Sequence, residues 1–196
     1  MPILQRFMLF LKTQGTVDFI KSMIMCFGAP VIYGIKCGSI LNICRSGEDV
    51  ATAWYVARKE MSDNLSIEFA EISNTNRSVL LFMYRREMLL ETIKPDETRR
   101  FLMERGYDSF HSVTSCVNRL RERFKTGIPH EMGIFLGFPL EDVKGFIENE
   151  GRNPKLVGYW KVYGDECRAT KIFDEYKRAE MESAWALLSK AGCLYS

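Results

Sequence analysis

Apolar residues recur at helical spacing over most of this chain, and the places where that spacing changes mark the predicted strands. Residues 3–12 and 16–27 read as amphipathic helices that lay one face on the body of the protein, the second broken by Ala29 and Pro30. Val31–Tyr33 and Ser39–Cys44 are short apolar runs separated by Gly34 and Gly38, which predicts two strands. From Ser46 or Gly47 to Lys59, the residues Val50, Ala53, Trp54 and Ala57 share one helical face, and Asn64 ends that region. Ser66–Ile72 and Arg77–Tyr84 predict a second pair of strands around the polar turn Ser73–Asn76. Val79–Met83 is apolar on both faces, the mark of a central strand.

Residues 86–126 read as a helical block. REMLLETI is one short helix, Asp96 caps another that ends at Gly106, and Ser109–Lys125 carries Val113, Cys116, Val117, Leu120 and Phe124 at helical spacing. The stretch from His130 to Asp165 organises the rest. Within it, Glu131–Leu136 reads as a buried strand, and Gly137 and Pro139 break it. A helix follows, with Glu141 and Asp142 in its first turn, Val143, Phe146 and Ile147 on its apolar face, and Gly151 as its stop. Gly158–Gly164 reads as a strand with Tyr159, Lys161 and Tyr163 on one face, Trp160 and Val162 on the other. Asp165 then caps a final helix, 165–191, whose stripe includes Ala169, Ile172, Phe173, Tyr176, Leu187 and Leu188. The expectation is an α+β fold, a single domain over 1–196, with a mixed β-sheet of about six strands flanked by helices and a long C-terminal helix.

Composition narrows the class without naming a partner. The chain has 196 residues, 46% of them hydrophobic and 27% charged, which suits one globular domain. A formal net charge of +2 is too balanced to advertise nucleic acid or an anionic membrane. No apolar run is long enough to span a bilayer and no export signal opens the chain, so a cytoplasmic protein is expected. Cys26, Cys37, Cys44, Cys116, Cys167 and Cys193 show no CxxC and no zinc-ribbon spacing, and read as buried or inert thiols with no metal site. Arg119, Arg121, Arg123 and Lys125 read as a solvated helix face balanced by Glu122 rather than a nucleic-acid surface.

Three constellations could carry chemistry. His130 after Pro129 suits a general acid or base, but His130-Glu131 is no zinc-protease motif, because Ile134 stands where the second histidine would be. Neighbouring strand residues point to opposite faces, so His130 and Glu131 are not expected to pair; a histidine bonding backbone at a strand start is the plain alternative. The turn Gly137-Phe138-Pro139 has the outline of a phosphate cradle, yet no phosphate-binding glycine pattern is present and Glu141 and Asp142 would repel an anion. Tyr159, Lys161 and Tyr163 could grip an aromatic or anionic ligand by stacking and charge, with Glu131 as a further ligand-binding candidate; otherwise this face packs on a helix or meets solvent.

HEMGIFLGFPLEDVKGFIENEG followed by GYWKVYGD resembles the signature of a bacterial family of unknown function, whose members read HE-hydrophobic-G-x-FLG-(Tyr/Phe)-PLEDV-x-GF and then GYWKVYGD. The resemblance extends weakly to GAPVIYGIKCGSILNI and RSVLLFMYR. Members often carry Cys where Gly28 stands, and another near Arg178, so a thiol mechanism common to the family is not expected here. The resemblance implies no activity and only points towards redox or iron homeostasis. The expectation for function is a non-catalytic accessory protein that binds a small molecule or a protein partner, its cofactor unknown. The alternative is a small enzyme with His130 as acid/base and Lys161 and the tyrosines holding substrate.

Overall fold

Beside Pro30 and Gly137, two short apolar runs of this chain turn helical rather than extended. The computed structural model describes residues 1–61, 66–108, 110 and 112–193, and the chain divides into two units. Asn64, expected to end the region after the fourth helix, and Ser109, expected to open a helix, lie outside the described residues.

The first unit comprises Met1–Ile35, Ile40–Met83 and Glu175–Ser196. Helices α1 (Ile3–Thr13) and α2 (Thr16–Phe27) fall where the amphipathic spacing puts them. The apolar run after them is a short helix, α3 (Ala29–Ile32), and not the expected strand at Val31–Tyr33. Pro30 sits in its first turn, where a missing N–H costs nothing and the fixed φ favours the helix. Strand β1 (Gly38–Cys44) is followed by helix α4 (Val50–Met61), whose start is set by Asp49 and not by Ser46 or Gly47. The Asp49 carboxylate accepts the Thr52 N–H at 3.1 Å and the Thr52 hydroxyl at 2.7 Å, and these bonds hold its carboxyl below the usual range. Strands β2 (Glu68–Thr75) and β3 (Ser78–Tyr84) flank Asn76-Arg77, a tighter connection than the expected four-residue turn. The sheet order is β1-β3-β2, so the doubly apolar strand is central, as its pattern predicts. Ile20 and Ile24 of α2, Val50 and Trp54 of α4, Ile43 of β1 and Leu81 of β3 close the core over this sheet. A second cluster joins Phe7, Leu11 and Cys26 to Ala184 and Leu188 of the last helix.

The second unit comprises Lys36–Ser39 and Tyr84–Asp174. It holds helices α5 (Arg86–Ile93), α6 (Asp96–Met103), α7 (Val113–Phe124), α8 (Met132–Phe135) and α9 (Leu140–Glu148). Asp96 is the first residue of α6 and makes no side-chain cap, Pro95 taking the cap position. Strands β4 (Leu156–Val157) and β5 (Lys161–Val162) pair antiparallel, and helix α10 (Glu166–Lys190) follows. The expected buried strand at Glu131–Leu136 is helix α8 with its flanking turns. MGIF is too short for its period to separate strand from helix. Gly137 decides the matter at φ +78, where its N–H bonds the Ile134 carbonyl at 3.0 Å and Phe138 N–H reaches back to Gly133 O at 2.9 Å. That pair of bonds ends a helix, not a strand. The expected strand Gly158–Gly164 pairs only at Lys161 and Val162, which face Val157 and Leu156 respectively.

The fold is therefore mixed helix and strand with a long C-terminal helix, but among the described residues the strands form a three-stranded sheet and a two-stranded ribbon, not one sheet of about six. Asp165 caps α10 as expected, its Oδ1 accepting the Arg168 N–H at 3.0 Å.

Burial sorts the six thiols, none of which forms a disulfide among the described residues. Cys26, Cys37 and Cys116 are buried; burial pushes the Cys26 thiol up to about 12 and the Cys116 thiol up to about 11. Cys44 and Cys167 are exposed. Thiol titration of the native protein is therefore expected to label Cys44 and Cys167 first, and Cys26, Cys37 and Cys116 only on unfolding, even at about pH 9. Peptide mapping after alkylation checks the assignment; native labelling at Cys26 would contradict it.

Candidate functional site

The second unit contains a cavity of about 280 Å³ built from α8, α9, the ribbon and the loop before α8. Phe138, Val143, Phe146 and Trp160 form its apolar lining, and His130 and Lys161 lie on it as well. The rings are fixed by one another. Phe138 stacks on Trp160 with centroids 4.9 Å apart and planes 25° from parallel, and Trp160 meets Phe173 edge-on at 4.5 Å. The ammonium of Lys36 lies 5.6 Å from the Phe138 centroid.

One carboxylate holds these pieces in register. Asp142, only 3% exposed, accepts the Trp160 indole N–H on Oδ2 at 2.7 Å. Its Oδ1 accepts the backbone N–H groups of Tyr163 and Gly164, each at 2.7 Å. Helix α9 and the ribbon thus meet through three charge-assisted bonds that satisfy a buried anion. Their backbones approach closely: a β-carbon on Gly145 would stand 2.5 Å from Cβ of Tyr163. A β-carbon on Gly158 would overlap the Phe173 ring.

His130 and Lys161 approach the same ring, that of Phe146. His130 is exposed, its imidazole 5.2 Å from the Phe146 centroid. Lys161 lies over Phe146 at 5.8 Å while its ammonium donates to Gly151 O at 2.7 Å, leaving further N–H donors. The other candidates are placed elsewhere. Tyr159 packs on Phe173 with centroids 5.7 Å apart, and the Tyr163 hydroxyl donates to Arg152 O at 3.1 Å. Trp160 and Val162 are buried, so the predicted alternation along 159–163 holds although most of that run is not paired strand.

Glu131 turns inward. It is 2% exposed and accepts from Arg123 Nε at 2.8 Å and from the Tyr107 hydroxyl at 3.3 Å. It does not bond His130, and the reason is a turn rather than strand alternation: Met132 N–H bonds Pro129 O at 3.1 Å and sets the two side chains apart. Burial pushes the Tyr107 phenol well up, and the Glu131 charge adds to it. The Arg123 guanidinium is held above its ordinary value by its hydrogen bond to Glu131. Along the same basic helix Lys125 pairs with Glu122 at 2.7 Å.

Sequence reasoning picked out the titratable pair but missed Phe138, Asp142 and Phe146 as parts of the site. One signal was present: Asp142 lies on the stripe of α9 shared with Val143, Gly145 and Phe146, where a carboxylate needs hydrogen-bond donors. Among the described residues, no group of three or more His, Cys, Asp or Glu side chains is placed to hold a metal ion, and no helix is long and apolar enough to cross a membrane.

Comparison with curated proteins finds no match, and no solved structure matches either. Residues 24–193, which include every residue of the pocket, match the family described as "Protein of unknown function (DUF3793)", and the chain belongs to that family.

Proposed function

We propose that this protein binds a small organic molecule in the cavity of its second unit and does so without turning it over. The observation that supports the reading is the convergence of His130 and Lys161 on one aromatic-lined pocket. Glu131, next to His130 in the chain, is committed to Arg123 and Tyr107, and Asp142, the carboxylate of the pocket lining, to three donors. A binding pocket needs no free acid partner, whereas general acid–base work by His130 gains from one.

Mass spectrometry of the purified protein, native against denatured, tests the proposal together with ligand-screening NMR. A mass excess lost on denaturation, or shifts confined to Phe138, Phe146, Lys161 and their neighbours, is the expected result, and Lys161→Ala should weaken it. A visible absorption band would favour a redox-active ligand. Equal masses and no localised shifts would sink the reading. The same convergence also favours a second reading, an enzyme with His130 as acid/base and Lys161 holding substrate. It requires that His130→Ala abolish product formation while binding survives.

A further inference from the structure

We infer that the pocket is built for an aromatic carboxylate, or an organic anion of that shape, with its ring against the Phe138, Phe146 and Trp160 lining and its anion at Lys161 and His130. This rests on the binding reading above and names the class of ligand. Aromatic pockets are also the usual receptors for ammonium ligands, so the sign of the charge is the point to decide. An ammonium is drawn to an open ring face, to a free carboxylate or to both. The Phe138 ring has Trp160 stacked at 4.9 Å and the Lys36 ammonium at 5.6 Å, so the protein's own ring and cation already lie against it. Phe146 already carries Lys161 at 5.8 Å and His130 at 5.2 Å. The one carboxylate of the lining, Asp142, accepts three N–H bonds at 2.7 Å each. The groups that would draw a cation are thus already engaged by the protein's own rings, cations and N–H groups.

What is left for a ligand has the opposite character. Rings whose faces are covered present their edges, and an aromatic edge is the positive part of the quadrupole. Edges attract either an anion or the π face of another ring. Lys161 spends one N–H on Gly151 O and retains donors for a carboxylate. A volume of about 280 Å³ sits just under the ~300–1,000 Å³ of drug-sized sites, which suits one ring or a fused pair.

The test is isothermal titration of the full chain with three probes of one shape: indole-3-acetate, indole-3-acetamide and tryptamine. The expected order has the carboxylate tightest, by roughly tenfold over the amide, the fold-change of one charge-assisted hydrogen bond. Lys161→Met, which keeps the stem over Phe146, should reduce that difference several-fold, and added salt should narrow it in the wild type; an undiminished difference in the variant would overturn the role of Lys161. An amide that binds as well as the acetate, or tryptamine binding best, overturns the anion class while the pocket reading stands. No heat from any probe overturns the class too; the native-mass and NMR results then decide separately whether the pocket reading falls with it.

Discussion

Asp142→Ala is expected to cost about 3–5 kcal/mol of stability, the largest single effect at the site. The carboxylate is 3% exposed and accepts from Trp160 Nε1, Tyr163 N and Gly164 N, so alanine leaves three donors that water reaches poorly. Bonds to a charged acceptor contribute about 1.5–3 kcal/mol each, though not additively, which brackets the total. Asparagine separates the contributions. Its one carbonyl oxygen can replace Oδ1 and keep both backbone bonds, but its NH₂ then faces the Trp160 N–H, donor against donor. Asp142→Asn is therefore expected to lose less, on the order of 1–3 kcal/mol. Urea unfolding read by circular dichroism gives both values, and the Trp160 indole proton in NMR should move in each variant. A cost within about 0.5 kcal/mol of wild type for alanine, the range of ordinary surface changes, would show that the ribbon is not anchored through this carboxylate.

Glu131→Ala ranks second, at about 2–4 kcal/mol. It removes the acceptor of the buried Tyr107 hydroxyl and the counter-charge of Arg123. The cost stays below that at Asp142 because the Arg123 side chain is 36% exposed and keeps access to water. Glutamine should recover part of the loss by supplying a neutral acceptor. The same cluster gives a pH dependence. Burial, with Glu131 beside it, holds the Tyr107 phenol neutral in the folded chain above its ordinary value of about 10. The unfolded chain ionises first, so stability is unaffected by this group below about pH 10 and falls as the pH rises beyond it. Urea midpoints compared at about pH 8 and about pH 10.5 should fall for wild type and fall less for Tyr107→Phe. An equal fall in both would remove Tyr107 as the cause.

How much of this is legible in the chain depends on the range of the forces involved. Asp165 as the cap of α10, β3 as the central strand and the alternation of Trp160 with Lys161 all follow from neighbours along the sequence. Val31–Tyr33 and Glu131–Leu136 read as strands because a short apolar run has no measurable period. Their helical state is set by Pro30 in a first turn and by the bonds around Gly137. His130 and Lys161 are identifiable as residue types, and their meeting at Phe146 is a tertiary result. Asp142 reads as a dipole partner of its own helix; its true partners lie 18 to 22 positions further on, beyond any local rule.

The close approaches at Gly145 and Gly158 carry an implication for how such a sequence can diverge. The space a side chain would need at Gly145 is filled by Tyr163, and at Gly158 by Phe173. Gly158 and the Phe173 ring therefore share one volume, and neither can grow unless the other shrinks, whereas Gly145 abuts the Tyr163 β-carbon, which a smaller side chain would still carry. Within the lineage, Gly158 and Phe173 should change together or not at all, while Gly145 should stay glycine whatever replaces the Tyr163 ring.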